Sequence, residues 1–279
     1  MKENIRDKTI FGRRDLETGR YVTPPEIVDS LIAYPSKTTL QESAGPRYTC
    51  ALSATTSSRI CAVDINPEMI KRQQEFMKNW EAHRNEPPYK AEIEILERRR
   101  FDPAPDPNKF EFYTVPESFE ERSVPDGDFD RCFAPELILH PAEGFENLAI
   151  PIFTEVYNAL INGGKFMLTA YPPSHTIKDN GCLDKYFEII AMSVHAENVV
   201  DGNWINIENL SSAIDQQTYE ENKSFFDRFW IRDLSRIRLY TPEEIKELSE
   251  NRFRVLEMQT IPGGMFPFAT RHFYVLEKV

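Results

Sequence analysis

The chain has 279 residues, 41% hydrophobic and 28% charged, which suits one large α/β domain with insertions and favours a folded globular protein over a disordered one. A formal net charge of -12 and a pI near 5.0 argue against nucleic acid as the main partner, because phosphate binding draws on clustered Lys and Arg. No apolar run approaches the roughly 20 residues of a membrane span, and the opening "MKENIRDKTIFGRRDLETGR" lacks the apolar centre of a secretion signal, so a soluble, cytoplasmic protein is expected.

In chain order, "TPPEIVDSLIAYP" reads as a helix capped by Thr23, "TTLQES" as a weak strand and "YTCALSA" as the helix after it. "RICAVDI", Arg59 to Ile65, is a short apolar strand ending in an acid. Asn66 then stands as an N-cap with Pro67 at the first helical position of the amphipathic "NPEMIKRQQEFMKNWEAH". The proline- and charge-rich "RNEPPYKAEIEILERRRFDPAPDPNK" reads as an insertion with one exposed helix, and Arg98-Arg99-Arg100 as a solvated helix end.

"FEFYTV" resumes strand character, and "VPDGDFDRCFAPELIL" gives a turn at Asp126-Gly127 and another strand. "FTEVYNALINGGKFMLTAYPP" supplies a helix, a Gly163-Gly164 stop and a strand over Lys165 to Ala170. From 172 to 235 the pattern is mostly helical and rich in aromatics, suited to covering a cleft. The chain closes with a Thr241-capped helix, a strand in "NRFRVLEMQTI" and a last strand in "ATRHFYVLEKV". Cys50, Cys61, Cys132 and Cys182 show no CxxC pair, so they read as core residues in a reducing compartment rather than as a metal site.

Alternating strand and helix at this spacing implies a doubly wound, mostly parallel sheet. The order of the pieces resembles the class I S-adenosylmethionine-dependent methyltransferases from about Tyr21 to Val279. "ICAVDINPEMI" is similar to their second strand, "VPDGDFDRCFAPELILH" to the acidic turn and fourth strand, and "IFTEVYNALINGGKFMLTAYP" to the helix, turn and fifth strand. The resemblance implies an α/β, Rossmann-like, seven-stranded methyltransferase sheet with a helical lid. The single domain divides into an N-terminal helical segment (1–35), a cofactor-binding core (36–171), the lid (172–235) and a C-terminal helix and strands (236–279).

The resemblance further implies that S-adenosyl-L-methionine is the cofactor and that Asp64 holds its ribose hydroxyls. A carboxylate ending a strand about twenty residues past the first turn can accept both hydrogen bonds of a ribose diol; the alternative is that Asp64 only helps Asn66 cap its helix. Family members usually carry an acid-x-Gly-x-Gly-x-Gly turn, because backbone must approach the cofactor closely. Here Gln41, Glu42, Ser43, Ala44, Gly45, Pro46 and Arg47 occupy the turn, so only Gly45 survives, Pro46 removes a backbone donor, and Arg47 crowds the amino-acid end of the cofactor. Either Glu42 is the strand-end acid or Gln41 stands in its place. A loss of about 4 kcal/mol at this turn raises the dissociation constant roughly a thousandfold.

By this resemblance Glu42, Ser43, Gly45, Asp64, Ile65, Glu117, Ser118 and Pro135 surround the cofactor. Glu136 faces the transferred methyl, and His140 and His175, which follow the fourth and fifth strands, are candidate bases. Three functions stay open: methyl transfer to a small molecule, a methyltransferase-like enzyme turned to rearrangement, cyclisation or elimination, and a non-catalytic binding protein. A small-molecule substrate without nucleic acid or membrane is expected, with a homodimer as the pairing that lid helices allow.

Overall fold

The computed structural model describes residues 23–115, 128–135, 137, 149–170, 200–201, 204–206, 236–261 and 271–279. In chain order the elements are α1 (Pro25–Ala33), β1 (Ser36–Glu42), α2 (Thr49–Thr55), β2 (Thr56–Asp64), α3 (Pro67–Lys78), α4 (Trp80–His83), α5 (Pro87–Arg98) and β3 (Phe110–Thr114). They continue with β4 (Phe129–Ala134), α6 (Ala149–Ala159), β5 (Leu160–Ala170), β6 (Val200–Asp201), β7 (Trp204–Asn206), β8 (Arg236–Arg238), α7 (Pro242–Ser249), β9 (Phe253–Ile261) and β10 (Arg271–Lys278).

Seven strands make one sheet in the order β3-β2-β1-β4-β5-β10-β9, the seven-stranded sheet that the resemblance implies. The first five run parallel, and β10 is antiparallel to both β5 and β9. The chain leaves β1 toward β2 and β3 and later returns to the other side of β1 with β4, so β1 and β4 flank a topological switch point whose crevice opens at their carboxyl ends.

Side-chain alternation divides the core in two. On one face Ile60, Ala62, Phe133, Met167 and Val275 meet the apolar stripes of α1, α2, α3 and α5; on the other Cys61, Val63, Cys132, Ala134, Phe166 and Leu276 meet α6 and Ile245 of α7. Both faces of the parallel strands are therefore covered, as such sheets require. The helix starts follow their sequence signals where the chemistry is local. Asn66 accepts from Glu68 N at the head of α3, and Thr241 and Glu244 form a reciprocal capping box at α7.

Four readings change. Thr23 does not cap α1: the N-cap is Pro24, which has no side-chain acceptor, with Pro25 opening the helix. The helix of the proline-rich stretch, α5, is not exposed, because Ile93, Ile95 and Leu96 bury against the α2 side and bring Glu92 in with them. Gly163-Gly164 does not stop a helix, since α6 has already ended at Ala159 and both glycines lie inside β5. Phe129 pairs with Leu160 but Arg131 with Lys165, so the extra residues bulge out. Gly163 takes φ +77, and a Cβ on Gly164 would lie 2.8 Å from the Ile161 carbonyl oxygen, so neither place suits a side chain. Finally, the described part of the 172–235 stretch is strand: β6 and β7 pair antiparallel, and β7 pairs with β8. Gly202-Asn203 between them has the composition of a two-residue hairpin turn, a signal stronger than the helical one. The rest of that stretch lies outside the described residues, as does the Asp126-Gly127 turn. The solvated end at Arg98-Arg99-Arg100 is as read, with all three exposed and Arg99 paired to Asp29.

At the amino end of the sheet Arg131 is fully buried. Its Nε donates to Thr39 Oγ1 (3.1 Å), Nη1 to the carbonyls of Leu31 (3.5 Å) and Tyr34 (3.2 Å), and Nη2 to Thr55 Oγ1 (3.1 Å) and Thr56 Oγ1 (2.6 Å). The two carbonyls belong to the last turn of α1, where a helix carries partial negative charge. Burial pushes the guanidinium down to about 9, still above neutrality, so it is a cation clamped among hydroxyls and carbonyls. Among the described residues no helix is long and apolar enough to cross a membrane.

Candidate functional site

The carboxyl edge of the sheet gathers the ends of β1, β2, β3 and β4. Glu42 is the last residue of β1 and only 2% exposed; Asp64 is the last of β2 and half-buried; Pro135 directly follows β4. The adjacency is fixed by register, because Glu42 pairs with Val63 and Asp64 with Thr114. Ile65 stands beside Asp64 and is 50% exposed, so an acid and an apolar surface occur together where β2 ends.

Gln41 and Glu42 face opposite sides of the sheet. Gln41 turns toward α3, where its Oε1 accepts from Gln73 Nε2 at 2.9 Å. Glu42 turns to the opposite face with Val63, and is the acidic side chain at the end of β1. Asp64 Oδ1 accepts from Asn66 N at 2.8 Å, and Asn66 in turn caps α3. The helix-start reading of Asp64 thus holds for one oxygen, on a side chain that still reaches solvent.

The turn between β1 and α2 is built without the expected glycines. Ser43 and Tyr48, not glycine, take the left-handed backbone, both at φ 63. Gly45 does not; a Cβ there would lie 3.2 Å from Met69 Cε, the end of a flexible side chain. Ala44 N donates to Val63 O (2.9 Å), tying the turn back to β2. Tyr48 is anchored by its ring, edge-on to Phe133 with centroids 5.0 Å apart. Ser43 is exposed and carries the left-handed strain with no such packing. Ser43→Gly is therefore expected to raise stability by about 0.5–1 kcal/mol in urea unfolding; a loss instead would show that the serine hydroxyl matters more than the backbone.

Two side chains that the sequence reading passed over hold this turn from behind. Gln73, fully buried, accepts from Gly45 N at 2.9 Å and donates to Thr49 Oγ1 at 3.1 Å as well as to Gln41. Glu92, also fully buried, accepts from Tyr48 N at 3.2 Å and Ala51 N at 2.6 Å. Burial pushes the Glu92 carboxyl up to about 7 against those backbone donors and the nearby Arg47 charge, which favour ionisation. A signal for both was present: each is a polar residue on an apolar helical stripe, Gln73 between Ile70 and Met77 and Glu92 beside Ile93 and Leu96.

Of the other expected site residues, Glu117, Ser118, Glu136, His140 and His175 lie outside the described residues. One further histidine stands near the edge. His272 pairs with Ala170 at the end of β5, its Nδ1 is 3.2 Å from Tyr274 Oη, and burial lowers its pKa.

No protein-family model matches the chain, and comparison with curated proteins finds no relative by sequence. Solved structures do match. A SAM-dependent methyltransferase from Methanosarcina mazei superposes with a TM-score of 0.53 at 13% identity, covering 92% of this chain and 99% of that one. A protein from Pyrococcus horikoshii OT3 gives 0.51 at 14% identity over 100% of both chains. With the strand order above, this likeness establishes the fold: the chain has the α/β fold of the class I S-adenosylmethionine-dependent methyltransferases.

Proposed function

We propose that the chain is an S-adenosylmethionine-dependent methyltransferase acting on a small molecule. The observation that carries this reading is the pairing of Asp64 with the exposed Ile65 at the carboxyl end of β2, one strand from a tight turn that ends β1. That donor set suits the cofactor: a carboxylate for ribose hydroxyls, an apolar side chain for a base, and Glu42 for the amine of the methionine moiety.

S-adenosylmethionine, when bound, supplies an electrophilic methyl group. The chain's own part is then to hold the acceptor in line and exclude water, which accounts for most of the acceleration in such transfers. Pro135 and Glu136, at the end of β4 in the sequence, are assigned to the acceptor side, and His140 and His175 to removal of a proton from the acceptor. The acidic surface and the long 172–235 stretch favour a small substrate over nucleic acid, and the same stretch is assigned to homodimer pairing.

Calorimetric titration with S-adenosylmethionine and S-adenosylhomocysteine tests the reading. Micromolar binding by the wild type, weakened about a hundredfold in Asp64→Ala with the fold intact, is the expected result, the size following from lost hydrogen bonds to a charged group. Absence of binding to the wild type overturns it and leaves a methyltransferase fold used for something else.

A further inference from the structure

We propose that Gln73 and Glu92 are positioning residues of this site: from α3 and α5 they take the backbone N–H groups of Gly45, Tyr48 and Ala51 and fix the turn that additional glycines would otherwise shape. The inference rests on the cofactor reading above for its consequence, and on the free protein's geometry for its cause.

Non-glycine residues keep a left-handed backbone only where their surroundings over-determine it. In this turn buried Tyr48 does so, and Pro46 contributes no donor. Local capping is also absent, because Tyr48 is the N-cap of α2 and its side chain makes no capping bond. The missing constraint comes from remote helices. Both oxygens of Glu92 face the start of α2, Oε1 on Ala51 N and Oε2 on Tyr48 N, with the Cys50 N–H acting on the same carboxyl. Gln73 closes a second circuit: Gly45 N donates to its Oε1, its Nε2 donates to Gln41 and Thr49, and Thr49 Oγ1 donates back to Gly45 O at 3.1 Å.

A helix start alone can be capped by a serine or aspartate at the N-cap itself, without burying a carboxylate. A fully buried Glu92 reaching in from 41 residues away has a different consequence: it locks α5 to the turn. The charged and titratable residues that act on it are Arg47, Tyr48 and Cys50 on the turn and α2; α1, which packs against α2 and α5, carries Glu26 and Asp29, the latter paired with Arg99.

The test titrates S-adenosylhomocysteine into the wild type, Glu92→Gln and Gln73→Met at pH 7.5, with amide exchange of the free proteins alongside. Loss of these hydrogen bonds is expected to raise Kd about tenfold or more in both variants and to speed exchange at Tyr48 and Ala51 in Glu92→Gln, with the sheet amides unchanged. Variants that fold and bind within about twofold of the wild type overturn the proposal. Should Glu92→Gln not fold, a wild-type series from pH 7.5 to 5.5 decides. Affinity should fall as pH drops through about 7, because a protonated carboxyl offers the turn one acceptor fewer; a flat profile overturns the proposal. If the wild type binds no S-adenosylhomocysteine, the cofactor reading fails by itself, and amide exchange separates the two: faster exchange in Glu92→Gln keeps its hold on the turn, unchanged exchange removes it.

Discussion

Replacing Arg131 by methionine is expected to destabilise the protein by about 3–5 kcal/mol, the largest effect of any single substitution considered. Methionine fills comparable volume, so the loss does not come from a cavity. It comes from acceptors left in a dry interior: the carbonyls of Leu31 and Tyr34 and the hydroxyls of Thr39, Thr55 and Thr56 all take hydrogen bonds from the guanidinium. Some hydroxyls can turn to one another, since Ser36, Thr39 and Thr56 already lie 2.7 to 3.3 Å apart, but the carbonyls at the end of α1 cannot. Arg131→Lys should recover only part of the loss, because an ammonium lacks the planar fork that reaches both helices. Urea unfolding, with amide exchange read at α1, checks this. A loss below about 1 kcal/mol would mean that water replaces the guanidinium.

Glu92 gives the second large effect, and it depends on pH. Its carboxyl rises from an ordinary 4.5 to about 7 in the folded protein. The folded state therefore holds this proton where the unfolded chain has released it. The resulting stability is fully present below about 4.5 and is lost as pH climbs through 7, a change of about 3 kcal/mol. Other carboxylates titrate in the same range, so the measurement is a difference: wild type against Glu92→Gln, by urea unfolding from pH 4.5 to 8. The variant should gain on the wild type by about that amount as pH rises. Parallel curves would place the carboxyl near its usual value.

These two residues also mark the boundary of what could be read in advance. Elements whose cause is local were legible: Asn66 and Pro67 start α3, and Thr241 with Glu244 starts α7, because the partners lie within one turn. The doubly wound, mostly parallel sheet followed from alternation, and its seven strands from the family resemblance. Glu92 was misplaced because its flanking glutamates made α5 look solvated, while its partners lie some forty residues back. The glycine pair was misplaced because a bulge and a helix stop make the same demand on φ, and only the facing strand distinguishes them. At the candidate site Glu42, Ser43, Gly45, Asp64 and Ile65 were named from the family resemblance, and the structure gathers them at the ends of β1 and β2. The reason the turn tolerates so little glycine was not visible, because it is supplied by α3 and α5.

The cysteines carry a practical consequence. Cys50 lies in α2 on one face of the sheet, and Cys61 and Cys132 lie on the other, all three buried. Burial pushes the Cys61 thiol up to about 12 and raises Cys50 further, so neither is nucleophilic in the closed protein. Alkylation then waits on breathing of the layer that shields each sulfur. The rate at Cys50 against the rates at Cys61 and Cys132 times the two sides of the molecule separately, with no probe added to it.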